Sequence, residues 1–125
     1  MSYLIVFLGA GIGGALRHGV NLGSLRLFGQ GFPLGTLVVN VLGSLLMGLI
    51  AGYFAFKGEA PQSLRLFLTT GILGGFTTFS AFSLDAALLY ERGAIGQAVL
   101  YVLGSVFLSL LGIALGLAAI RWGVK

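Results

Sequence analysis

Cysteine is absent, and only Glu59, Asp85 and Glu91 carry an acid. The first absence excludes disulfides, thiolate nucleophiles and cysteine metal sites. It leaves the redox compartment open, because a membrane bundle needs no such staples. His18 is the single histidine, and no Gly-x-Ser-x-Gly motif occurs, so there is no material for a nucleophile with its base or for a metal cluster. Charged residues of either sign make up 8% of the chain, against about 25% in ordinary soluble domains. A water-soluble fold is therefore not expected.

What is present is apolar: 58% of the 125 residues are hydrophobic, and the mean hydropathy is +1.07. A hydrocarbon core roughly 30 Å thick needs about 20 apolar residues per helical span. Residues 1–125 thus form a single four-helix membrane domain embedded in the lipid bilayer. The formal charge of +4 comes from seven scattered basic residues, not from a basic patch interleaved with aromatics, so nucleic acid is not an expected partner. The N-terminal SYLIVFLG has no basic residues before it and runs into small residues and Arg17, which reads as a retained first helix and not as a cleaved signal.

Four apolar stretches fall at about 3–27, 34–56, 63–90 and 95–120, separated by GQGFP, KGEAPQ and ERGA. These separators carry turn chemistry, and their brevity implies antiparallel neighbours. An even number of spans puts both termini on one side. That side holds Lys57, Arg65, Arg121 and Lys125 against Arg26 and Arg92 on the other. Such a weak bias under the positive-inside rule is compatible with insertion in both orientations, and equally with a plain positive-inside signal of low amplitude.

Polar and small residues recur every four positions in three spans, which lays them along one stripe of each helix. The stripes are Gly9, Gly13, Arg17 and Asn21; Thr36, Asn40, Ser44, Gly48 and Gly52; and Gln97, Tyr101, Ser105 and Ser109. Close helix packing accounts for the glycines and Ser44. Asn40 and Arg17 are different, because an amide or guanidinium inside a span is costly unless it meets a partner or water.

The third span begins SLRLFLTTGIL and then meets Gly74 and Gly75, followed by Thr77, Thr78, Ser80 and Ser83. Paired glycines weaken a helix by about 1 kcal/mol each relative to alanine, and the hydroxyls compete for backbone groups. A break here would free carbonyls suited to a cation; a continuous helix with a small-residue packing face is the alternative. Phe76, Phe79 and Phe82 lie beside the hydroxyls. They either face lipid or direct the positive edges of their rings into a pore, where an anion is held weakly enough to leave.

The segment GGFTTFSAFS at 74–83, preceded by GTLVVNVLG at 35–43 and GALR at 14–17, resembles the CrcB/Fluc fluoride channels of bacteria. The likeness covers nearly the whole chain in length, spans and motif order. It implies an all-α integral membrane fold with four transmembrane helices per subunit and the third helix broken mid-membrane. Two copies would pair as an antiparallel dual-topology homodimer in the bacterial inner membrane, with two pores that let fluoride out passively and relieve its toxicity. By motif position, Phe79 and Phe82 are the pore rings, Asn40 is the amide that meets fluoride, and Tyr101, Ser105 and Ser109 are the polar track. Arg17 corresponds to the arginine of the aqueous vestibule. Gly74 and Thr77 would offer main-chain carbonyls to a structural sodium ion at the dimer interface. Ala81 and Asp85 depart from the threonine and glutamate common in the family.

The residues agree with this reading on one difficulty. Fluoride holds its water tightly, and Asn40, the hydroxyls and the ring edges are weak donors in series that replace it. No fixed cation is needed in mid-pore, and Arg17 is expected too near a span end to be one. The rivals are a small four-helix multidrug exporter, which wants a buried carboxylate where the first span has Arg17; an intramembrane enzyme; and a non-conducting assembly subunit with lipid-facing Phe79 and Phe82.

Overall fold

The computed structural model describes residues 1–56 and 58–123; Lys57 and Lys125, counted above for orientation, lie outside them. The described residues are helical and contain no strand, and four helical spans are long and apolar enough to cross a membrane: Ser2–Phe28, Leu34–Phe56, Gln62–Glu91 and Ile95–Gly123. These bounds lie close to the apolar stretches read from the sequence, because hydropathy alone sets span length in lipid. The chain is a multi-pass membrane protein.

Helix α1, Ser2–Phe28, ends where Gly29 takes φ 78° and returns its N–H to the Leu25 carbonyl at 2.9 Å. Such a positive φ favours glycine over any side chain. Helix α2, Leu34–Phe56, follows Pro33. The third span is composite: α3 Gln62–Arg65, a wider π-helical stretch Leu66–Leu73, a short α4 Gly74–Phe76, and α5 Phe79–Glu91. After a turn at Gly93, φ 80°, α6 runs Ile95–Ala118 and widens into a terminal π-helical stretch, Ala119–Gly123. Arg92 Nη2 donates to the Gly31 carbonyl at 2.9 Å, which ties the two turns at one end of the bundle, as alternating antiparallel spans require.

Very little side chain is deeply buried: Val39 and Tyr101 are the largest side chains that are fully so. Burial of apolar surface does not drive helix association inside lipid, whereas close backbone packing does. Two glycine seams supply it. Between α1 and the third span, a Cβ on Gly9 would come within 2.8 Å of the Phe67 carbonyl, and one on Gly75 would strike Ala10. Between α2 and α6, a Cβ on Gly48 would meet the Ile113 carbonyl, and one on Gly116 would meet the Leu45 carbonyl. The pairs Gly48/Gly52 and Gly112/Gly116 therefore pack α2 and the fourth span against each other within the chain. The seams set α1 on the third span and α2 on α6, the two most extensive contacts of the bundle.

Candidate functional site

Thr77 and Thr78 interrupt the third span. Their backbones are extended, with φ −87°, ψ 160° and φ −153°, ψ 123°, between Phe76 and Phe79. Gly74, one of the suspected breakers, is itself helical at φ −62°, ψ −39°. Two extended residues strip backbone groups of their helical partners, and those groups need others.

Two side chains from other helices supply partners. Asn40 of α2 accepts the Thr78 N–H on Oδ1 at 2.8 Å and donates from Nδ2 to the Thr78 carbonyl at 3.0 Å. Arg17 of α1 donates from Nε to the Gly75 carbonyl at 3.2 Å. The expectation that Arg17 lies near a span end is corrected here: several turns of α1 continue on both sides of it, and it sits beside the interruption. Its costly charge is thereby matched with a carbonyl dipole.

Thr78 then restarts the helix. Its Oγ1 accepts the Ala81 N–H at 3.1 Å, an N-cap interaction typically worth about 1 kcal/mol. Thr77 folds its hydroxyl back on the Leu73 carbonyl at 2.9 Å. One consequence concerns carbonyls. In a continuous helix the Gly74 and Thr77 carbonyls would accept from the N–H groups of Thr78 and Ala81, and both of those now point at side-chain oxygens.

Starting α5 at Thr78 aims its rings. Phe79 is 78% exposed and Phe82 half-buried, with centroids 5.5 Å apart. Phe82 stands 5.2 Å from Tyr101, which meets Phe32 edge-on at 5.5 Å, so four rings form one file. Phe76 turns the other way and is buried. A groove of about 420 Å³ runs along this file, bounded by Asn40, Ser44, Gly74, Thr77, Thr78, Phe79, Phe82, Ser105 and Ser109 among others.

The structure therefore gathers Asn40, Phe79, Phe82, Ser105, Ser109, Gly74 and Thr77 around one space. Tyr101 is not at its wall. It is fully buried behind Phe82 and donates its hydroxyl to Asp85 Oδ2 at 3.1 Å. Arg17 also lies off the groove, on the far side of the interruption. Ser105 Oγ is buried without a hydrogen-bond partner among the described residues, an unusual state that leaves a donor beside the groove. Sequence reasoning passed over two residues. Thr78 had a legible signal, a threonine immediately before a helical run. Asp85 as the partner of Tyr101 had none, because only the packing of α5 on α6 brings them together.

The family model described as CrcB-like protein, Camphor Resistance (CrcB), matches residues 4–117. The chain belongs to the CrcB-like family. It is similar to the fluoride-specific ion channel FluC of Rhodopseudomonas palustris (strain BisB5), with 66% identity over 97% of this chain and 98% of that protein. It is 62% identical to the FluC of Methylobacterium sp. (strain 4-46), over 97% of each chain, and 60% identical to FluC 2 of Nitrobacter hamburgensis, over 97% and 98%. These relatives bear the name of an ion channel and not that of an enzyme. Every residue of the groove falls inside the stretch that matches the CrcB-like family.

Proposed function

We propose that this chain is the subunit of a fluoride-selective channel that lets the anion leave a bacterial cell passively through the inner membrane. The observation that carries the reading is the convergence on one groove of two phenylalanine rings, an amide with a remaining N–H, and two serine side chains. Only one of the two N–H groups of Asn40 goes to Thr78, so the other is left for an anion. Ser105, with no internal partner, adds a second donor deeper along the same wall.

Each donor is neutral. A small, strongly hydrated anion exchanges its water for these contacts in steps, and no step traps it as a lysine or guanidinium would. Arg17, hydrogen-bonded off the groove, attracts anions toward the vestibule without closing around them. Of the two acids in the spans, Glu91 ends the third and Asp85 is engaged by Tyr101, which speaks against a proton-coupled exporter and leaves downhill conduction.

The assembly is read as an antiparallel dual-topology homodimer with the interruption of the third span at mid-membrane. Supporting it are the weak charge bias and the exposure of Gly74 on the outside of the chain. A structural sodium ion fits the donor set there: neutral carbonyl oxygens at Gly74 and Thr77, each released from its helical N–H, are hard ligands for a hard cation. Such an ion would neutralise converging carbonyl dipoles where two copies meet.

The test is efflux from liposomes containing the purified protein, read with fluoride and chloride electrodes. Fluoride is expected to leave far faster; chloride at an equal rate would sink the selectivity. Topology has its own measurement. With no native cysteine, Glu59→Cys, in the exposed turn between the second and third spans, should react with an impermeant maleimide from both sides of the membrane. Labelling from one side alone would exclude the antiparallel pair.

A further inference from the structure

Resting on that reading of the groove, we infer that Asn40 is a positioning residue: through Thr78 it holds the interruption extended and thereby aims Phe79 and Phe82. The amide mimics a peptide group. Its Oδ1 and Nδ2 meet both backbone groups of the same residue, at 2.8 and 3.0 Å, in the pattern that a neighbouring extended strand would offer. Among the described residues, no other side chain contacts both groups of one residue at the interruption.

The consequence runs down the chain in short steps. The paired bonds fix Thr78 at φ −153°, ψ 123°. That conformation brings Thr78 Oγ1 onto the Ala81 N–H and sets the first turn of α5. Phe79 is the first residue of that turn and Phe82 lies one turn on, packed on Phe79 and Tyr101. Losing the amide leaves the Thr78 N–H and carbonyl without their partner, frees Thr78 from its extended dihedrals and lets the rings turn off the groove. An anion drawing on the remaining Asn40 N–H therefore touches the group that also holds the rings in place.

The experiment separates this role from simple anion contact. Amide hydrogen exchange is followed at Thr78 in the full-length protein in lipid nanodiscs, without fluoride, for the wild type and for Asn40→Leu. Exchange at Thr78 is expected to quicken about tenfold in the variant, as loss of a tertiary hydrogen bond at a locally opened site predicts. Unchanged exchange overturns the inference and leaves the channel reading standing. A second variant keeps Asn40 intact: an ester in place of the Thr78 amide, introduced as the α-hydroxy acid, deletes the N–H and also weakens the Thr77 carbonyl as an acceptor. The ester at Phe79, which weakens the Thr78 carbonyl but keeps the Thr78 N–H, is its control. Fluoride efflux is expected to fall about tenfold with the Thr78 ester, and wild-type efflux would likewise overturn the inference. Absence of fluoride efflux in the wild type would sink the channel reading instead, while the exchange result at Thr78 would still decide the role of Asn40.

Discussion

Phe82→Ile slows fluoride efflux roughly thirtyfold, and Phe79→Ile by a comparable factor, while both variants still fold and assemble. Isoleucine keeps the apolar bulk and removes the ring, so the substitution isolates the quadrupole. A desolvated cation over a ring face gains about 2 kcal/mol; taking the same scale for an anion at the positive edge, about 2 kcal/mol of barrier is roughly thirtyfold in rate. The two positions control for each other. Phe79 is 78% exposed, so its replacement costs the fold little and any loss of conduction reflects the lost edge. Phe82 lies between Phe79 and Tyr101, and its replacement also gives up ring contacts worth about 1 kcal/mol of stability. Electrode traces at matched reconstitution, with size-exclusion profiles of each variant, provide the measurement. Wild-type rates from both variants would move the anion path out of the groove.

The spans were legible because a bilayer reads only length and apolarity, and these are properties of composition. The working region was legible as a region, through its crowding of glycine, hydroxyl and aromatic residues at 74–83. The physical reason for it was not. Paired glycines suggested weak helix propensity, yet Gly74 is helical and Gly75 is small because Ala10 of α1 lies against it. The extended residues are the threonines that follow, and what meets their backbone comes from far away. Asn40 is 38 positions from Thr78, and Arg17 is 58 from Gly75. Periodicity along one helix says that such a residue needs a partner; it cannot say which atom on another helix is the partner. The fourth-span stripe divides for the same reason. Ser105 and Ser109 line the groove, whereas Tyr101, on the same face, is held behind Phe82 by an acid on α5.

The seam that carries the interruption gives the second large effect. Gly13→Ala is expected to destabilise the protein by about 2 kcal/mol, in the range of overpacked cores, and to depress fluoride efflux with it. A Cβ at Gly13 would run into the Ile72 carbonyl oxygen and come within 2.7 Å of the Phe76 N. Both are backbone atoms of the third span, so no side-chain rotation relieves the clash and the two helices must part. Parting them draws Gly75 away from Arg17, which lies one turn along α1 from Gly13, and lengthens the 3.2 Å bond that satisfies the Gly75 carbonyl. Gly19→Ala on the same helix is the control. Its Cβ meets nothing within 4 Å among the described residues, and alanine gains up to about 1 kcal/mol of helix propensity. Denaturation midpoints in detergent should therefore move in opposite directions for the two variants. An unshifted midpoint for Gly13→Ala would mean that α1 and the third span do not approach so closely, and would detach Arg17 from the interruption.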